Sequence, residues 1–409
     1  MNVDRQRILE WSLSALLFAA VLLLSLNRNF YTSSMTSLFL SLAMGSALVT
    51  LVMLRRSWRD LLWVAATAFG LAWIDYRILH FQPMFMAVFS FVGLAALVVL
   101  GTAAIWAQGQ DRKLLLYGFF PAILFVASEY MATTLLDITE ALHPKTLDLF
   151  LYSFDCSLHV QFSFLMGQVF FRHLWLYWAC FVIYVALPLP LALVYAAQLR
   201  RQKEIAFQTM LAFLVTGPLG VFFYNVLPAC GPVHLFGRAF PWHPFPIVAA
   251  AQLNVVPVLL KGARNAIPSL HMTWVLLVWW NSRGLPRWVR TIAAIFVIFT
   301  IMATLGTGEH YLVDLVVAFP FSLLVQALCW YSVPFDSGAR RAAFLFGIFA
   351  TLGWLALLSF ATRLFWISPI LPWTMIVSTI IPSILLWRGL GMTKQEQQPV
   401  RAMAVGASA

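Results

Sequence analysis

Apolar runs of membrane-crossing length recur from one end of this chain to the other, separated by short breaks in which polar and often basic residues collect. A helix of roughly 20 apolar residues crosses a hydrocarbon core. Runs near that length occupy residues 8–26, 36–54, 60–80, 84–106, 114–135, 173–198, 206–227, 268–282, 288–306, 310–331, 342–363 and 366–388. The pattern predicts an all-α fold, a polytopic transmembrane helical bundle of about 12 spans. The eighth run is the shortest and is headed by Pro268, a residue suited to the opening turn of a helix.

Three stretches break the rhythm. Residues 136–172 carry Asp137, Glu140, His143, Lys145, Asp148, Asp155 and His159, which predicts an amphipathic outer loop lying on the membrane, placed to roof a site. Residues 228–267 hold Gly231, Pro232, Pro241, Pro244 and Pro246 with Trp242 and Phe245, a composition for a shaped loop at the lipid–water boundary. The end, 391–409, is polar and rich in small residues, as in a flexible tail. The expected organisation is therefore an N-terminal membrane region of about five helices over 1–135 and the outer loop 136–172. A membrane core over 173–331, two C-terminal helices within 332–390 and the tail complete it.

Composition narrows the class. With 62% hydrophobic and 10% charged residues in 409, there is too little polar surface to coat a water-soluble globule, so the solvent is lipid. The net charge of +11 would suggest nucleic acid in a soluble chain, but no basic run interleaves with a solvated fold. Charge reports topology instead. On alternate sides of the predicted spans, about 18 of the 26 basic residues fall with the two termini and eight on the other face. By the positive-inside rule both termini are expected in the cytoplasm, with the active loops outside, as in a bacterial cell membrane. The four cysteines are scattered, without a disulfide framework or a metal-binding spacing.

Two stretches combine ionisable residues with a helix start on the outer face. The first contains Lys261, Arg264, Asn265, Pro268, Ser269 and His271. There the free N–H groups of an opening helical turn, with the Ser269 hydroxyl and His271, make an anion site, and Lys261 and Arg264 supply positive charge. The second contains Gly306, Gly308, Glu309, His310, Tyr311 and Asp314. His310 and Asp314, four apart on a helix, stack with Cβ atoms about 6 Å apart. Asp314 can then take a hydrogen bond from one imidazole nitrogen and leave the other as a lone pair, a nucleophile toward phosphorus. His271, protonated, would hand a proton to the departing oxygen and then take one from water or an acceptor alcohol. Positive groups and backbone dipoles stabilise the equatorial oxygens, so neither metal nor cofactor is expected. Taken singly, either histidine is more often a packed residue or an interface anchor; the pair on one face carries the chemistry. Asp75 and Glu129 lie at or near membrane depth, where an acid is a functional candidate, but a place near a helix end, reaching the headgroups or a neighbouring polar group, is the commoner reading. The remaining histidines lack such partners, and no Walker or zinc pattern occurs.

At these residues the chain resembles the type-2 phosphatidic acid phosphatase superfamily, and most closely its inositol phosphorylceramide synthase-like (inositolphosphotransferase) branch. Members of that branch carry Asn-x-x-Pro-Ser-x-His and a later His-Tyr-x-x-Asp, and Asn265 to His271 and His310 to Asp314 match both. Tyr224 to Pro232 looks like the proline-rich stretch that precedes them, and the resemblance covers residues 145–331. It implies a phosphatase- or phosphotransferase-like helical core, with His310 as nucleophile forming a phosphohistidine, Asp314 as its orienting partner and His271 as acid and base. The superfamily's first motif, a Lys followed by Arg-Pro, is absent, and Thr304 stands where an Arg is expected six residues before the nucleophile. Phosphate binding is therefore expected from Lys261, Arg264, Asn265 and Ser269. Glu309 would repel phosphate and is suited instead to hydroxyl groups of a headgroup or acceptor.

The implied partners are a lipid phosphate, an alcohol acceptor and the surrounding membrane lipid, with no nucleic acid; nothing in the sequence signals an oligomeric state. A transporter suits the helix count, but paired broken helices and an internal repeat are missing. An inactive scaffold is opposed by the presence of all three expected catalytic residues.

Overall fold

The computed structural model describes residues 7, 10–16, 34–55, 57–79 and 85–406, which are nearly all helical. In chain order the helices are α1 (Ser34–Arg55), α2 (Trp58–Leu79), α3 (Phe85–Trp106), α4 (Gly109–Tyr117) and α5 (Phe120–Leu142). Then come α6 (Asp148–Ser157), α7 (Phe162–Arg172), α8 (Leu174–Val185), α9 (Pro188–Leu199) and α10 (Lys203–Val226). The long loop contains the single-turn helices α11 (Pro232–Phe236) and α12 (Ile247–Ala251). It leads to α13 (Leu270–Asn281), α14 (Arg287–Gly306), α15 (Leu312–Cys329), α16 (Gly338–Phe360) and α17 (Ile370–Gly406). Two short strands, β1 (Lys145–Thr146) and β2 (Val258–Leu259), pair antiparallel with Lys145 opposite Leu259.

Among the described residues seven helices are long and apolar enough to cross a membrane. An eighth crossing results if α7 and α8, bent by 116° at a short break, count as one. The run 8–26 lies largely outside the described residues. Three other expected spans are divided or short for local reasons. The 114–135 run is divided between α4 and α5 at Gly118 and Phe119. The 173–198 run is divided at Ala186 and Leu187, where Pro188 opens α9. A proline fits where a helix begins, because its missing N–H would have no partner there. The run headed by Pro268 yields only the 12-residue α13.

The chain forms two compact units, each assembled from separated segments. The first consists of Met1–Met131, Val185–Met210 and Gly284–Ile292. Within it α1 packs on α3 and α9, and α3 also receives α2 and α4. Gly93 lets α1 and α3 approach closely, since a Cβ there would collide with the Met44 backbone. Such small residues bring helices together where lipid removes the hydrophobic force between them. Asp75 of α2 is buried, and one of its carboxylate oxygens has no partner among the described residues. The side chain of Glu129 lies outside the described residues.

The second unit consists of Ala132–Tyr184, Leu211–Arg283 and Ala293–Ala409. Its axis is α15, against which α6, α13, α16 and α17 pack. Asn281 of α13 donates to Gln326 of α15 at 2.8 Å inside this packing. At the C-terminal end of α15, Arg340 donates to the carbonyl oxygens of Ala327, Leu328 and Val333 at 2.7, 3.0 and 2.6 Å. Ala327 and Leu328 are among the acceptors that the end of α15 leaves open, and the cation also suits the negative pole. The 136–172 stretch is mostly helical here rather than a surface loop: α6 is buried along nearly its whole length, Asp148 and Asp155 included. Its acids turn inward because unpaired backbone N–H groups of neighbouring segments await them there.

Candidate active site

The loop between α10 and α13 is shaped by bonds to the end of α5 and the chain that follows it. Leu147 N–H donates to the Pro228 carbonyl at 2.7 Å, Ala266 N–H to the Ala229 carbonyl at 3.0 Å, and β1 pairs with β2. Arg264 is the strut of this loop. Its Nε donates to the His143 carbonyl at 2.8 Å, one terminal nitrogen to the Gly262 carbonyl and the Cys230 Sγ, and the other to the carbonyls of Pro144 (3.2 Å) and Leu260 (2.9 Å). A guanidinium has five N–H donors. All five are taken, and the side chain is only 1% exposed, so none is left to meet a phosphate.

The loop delivers Ser269 as the N-cap of α13, its hydroxyl accepting from Met272 N–H at 3.4 Å. The same hydroxyl lies 3.2 Å from His310 Nε2. On the opposite edge of that ring, Nδ1 is 2.9 Å from the Ala266 carbonyl and 3.4 Å from Asp314 Oδ2. A carbonyl only accepts, so Nδ1 carries a proton, and in the neutral ring the lone pair falls on Nε2. The nearer orienting group is thus a backbone carbonyl, with the carboxylate at longer range. Asp314 Oδ2 also accepts Tyr311 N–H at 2.8 Å, and its Oδ1 has no partner among the described residues.

His271 stands at the first turn of α13. Its ring stacks on that of Tyr184 from α8 with centroids 3.9 Å apart, and its Nδ1 is 2.9 Å from the Tyr184 hydroxyl. Trp274, one turn on, meets the same ring edge-on at 5.7 Å. Ser269, two residues before His271, sets its hydroxyl against the His310 ring, and its N–H donates to the Asp314 carbonyl at 3.2 Å. Both motif histidines therefore gather at one end of α13 and α15.

The other expected residues divide. Lys261 is exposed, and Asn265 is half-buried with no side-chain hydrogen-bond partner among the described residues. Thr304, where the family pattern has Arg, is buried and donates to the Thr300 carbonyl at 2.8 Å. Glu309 pairs with His234 of α11 at 3.8 Å, both partly exposed. The neighbouring Glu309 carboxylate raises the His234 pKa above its ordinary value, against the opposing effect of burial.

Sequence reasoning missed four polar side chains and one carbonyl. Asp148 accepts Gly231 N–H at 2.8 Å, Cys230 N–H at 3.0 Å and the Tyr311 hydroxyl at 3.1 Å. Asp155 accepts the N–H groups of Leu312 and Val313 at 2.7 and 3.2 Å, capping α15. Burial pushes its carboxyl up to about 8, against those two bonds. Ser163 of α7 donates to the His310 carbonyl at 2.8 Å. Tyr184 and the Ala266 carbonyl complete the set. The acids had a sequence signal, being charged residues in an otherwise apolar chain; a backbone carbonyl has none. Among the described residues no three His, Cys, Asp or Glu side chains group as metal ligands.

Residues 149–328 match the PAP2 superfamily. The matched segment runs from α6 into α15 and contains His271, His310 and Asp314 together with Asp155, Ser163 and Tyr184. No curated protein and no solved structure matches the chain. The PAP2 match supports the superfamily named from the motifs and, with the apolar helices, fits an integral membrane protein of the phosphatase or phosphotransferase kind.

Proposed function

We propose that this chain is a membrane-embedded phosphoesterase or phosphotransferase that acts on a lipid-linked phosphate through a phosphohistidine at His310. The observation that carries this is the placement of the His310 ring: Nδ1 lies on the Ala266 carbonyl, which in the neutral ring leaves the Nε2 lone pair facing Ser269 and the first turn of α13. In the first step Nε2 attacks phosphorus and the bond to the lipid alcohol breaks. His271, which burial alone keeps neutral and a bound phosphate's negative charge protonates, keeps its Nδ1–H hydrogen-bonded to the Tyr184 oxygen and transfers the proton on its other nitrogen to the departing oxygen. In the second step the neutral His271 takes a proton from the incoming hydroxyl as that oxygen displaces His310 from phosphorus. Lys261, Asn265 and Ser269 are the proposed phosphate-binding side chains; Arg264 drops out because its donors are committed to the loop.

The resemblance to the inositol phosphorylceramide synthase-like branch favours an alcohol as acceptor, and hence headgroup transfer. The lopsided basic residues favour a site on the extracytoplasmic side with both termini in the cytoplasm. The test uses purified protein with a short-chain phosphatidic acid and a short-chain phosphatidylinositol, with and without a lipid alcohol, scored for free phosphate and for new lipid product. His310→Ala and His271→Ala should abolish turnover and the acid-labile phosphoenzyme while leaving membrane insertion intact. Undiminished turnover in His310→Ala would refute the phosphohistidine route.

A further inference from the structure

We infer that α6 and α7 form a brace that aims the His310 imidazole, with Asp155 and Ser163 as positioning residues for its reaction; this rests on the nucleophilic role proposed above for His310.

The brace takes hold of a single stretch of backbone. Ser163 Oγ donates to the carbonyl of His310 itself at 2.8 Å. The Tyr311 hydroxyl reaches Asp148, and the N–H groups of Leu312 and Val313 both end on Asp155. His310 and the three residues after it are thus each held by a polar side chain from α6 or α7, roughly 150 residues earlier in the chain. The stretch just before His310 is held too. A Cβ on Gly306 would collide with the Phe170 ring of α7, and the Gly308 carbonyl accepts Val233 N–H at 2.9 Å.

Capping alone would not call for this arrangement. Water or a single N-cap side chain satisfies the first N–H groups of most helices. Here Tyr311 is the N-cap residue and its own N–H goes to Asp314 of the same helix, whereas the next two donors, Leu312 and Val313 N–H, are met by a buried acid from another helix. A bond from Ser163 to the carbonyl of the reacting residue adds nothing to the cap, but it fixes the peptide plane from which the imidazole projects. Rates of attack fall by about a hundredfold for a displacement near 1 Å, so the orientation of that plane bears directly on the reaction.

The test uses the full-length protein in detergent with orthovanadate, which takes an imidazole nitrogen as a fifth ligand and so reads the aim of Nε2 without a known substrate. Binding is measured by titration calorimetry and folding by the thermal midpoint. Wild type and Ser163→Thr should bind alike, and Ser163→Ala and Asp155→Ala should bind about tenfold more weakly or worse. The Ser163→Ala midpoint should fall only modestly, since a buried carbonyl loses its donor but no packing volume is lost, and binding is measured well below that midpoint so that unfolding does not enter the loss. The brace is overturned if Ser163→Ala and Asp155→Ala bind as wild type does, or if Ser163→Thr fails to restore what Ser163→Ala loses. It is also overturned if the Ser163→Ala loss merely tracks a fall in midpoint. Wild-type failure to bind, or unchanged binding in His310→Ala, would instead remove the nucleophilic role on which the brace depends.

Discussion

Replacing Arg264 by lysine separates two roles that the sequence cannot tell apart. Lysine keeps the charge but has three donors on one nitrogen, whereas the present acceptors are four carbonyl oxygens and a sulfur spread around a planar fork. At least two acceptors lose their donor. A buried polar group left bare costs about 1–3 kcal/mol, so the substitution should cost about 2–6 kcal/mol of the loop's hold. Some of these acceptors are only partly buried, and water will relieve part of that, which favours the lower half of the range. Two measurements follow: the thermal midpoint of the purified protein, and the rate at which a dilute protease cuts within 228–267. Arg264→Lys should lower the first and raise the second, with KM for a short-chain lipid phosphate changing less than threefold in the protein that stays folded. An unchanged midpoint and cutting rate with KM raised tenfold would show that the guanidinium meets phosphate after all.

Tyr184→Phe keeps the ring stacked on His271 and deletes only the bond to Nδ1; kcat should fall about tenfold with KM unchanged, and an unaltered kcat would remove Tyr184 from the mechanism. Asp314→Asn leaves His310 Nδ1 on the Ala266 carbonyl, so its loss in kcat should be smaller than that of His310→Ala; equal losses would make the carboxylate the true orienting group. Gly231 sits at φ 114°, where an added Cβ would also collide with the Glu309 carbonyl, so Gly231→Ala should reduce folded yield, and a normal yield would argue against that loop contact. His234 has its pKa raised above 6.5 by Glu309, so their pairing stabilises the fold fully below about pH 6.5 and is lost as pH rises through the raised value. Glu309→Gln should bring the His234 titration down in histidine-labelled NMR; an unmoved curve would contradict the pairing.

Some of this was legible in the amino acids and some was not, for reasons of range. The apolar runs give the helices because lipid leaves the backbone little choice but to satisfy itself locally. His310 and Asp314 are readable as a pair because four residues is one helical turn. Their true environment is nonlocal: the carbonyl of Ala266 and the hydroxyl of Tyr184 come from segments 44 and 87 residues away from the rings they orient. Arg264 shows the opposite failure. A cation beside a phosphate-like motif reads as a ligand until its donors are traced to His143, Pro144, Leu260, Gly262 and Cys230. Asp148 and Asp155 looked like the polar face of a surface loop because their acceptor role depends on N–H groups more than 80 residues away. The helices divide at Gly118 and before Pro188 inside runs that hydropathy reads as continuous.

The discontinuous make-up of the first unit bears on how this chain can be made. Val185–Met210 and Gly284–Ile292 emerge from the ribosome long after Met1–Met131, yet they belong to the same compact body. A gene shortened to start at residue 132 would still encode those two late arrivals, without the rest of the body they join. Excising the first helices to obtain a minimal enzyme should therefore yield a product prone to quality-control degradation, and supplying residues 1–131 as a separate polypeptide in the same cell is the more promising way to divide the molecule.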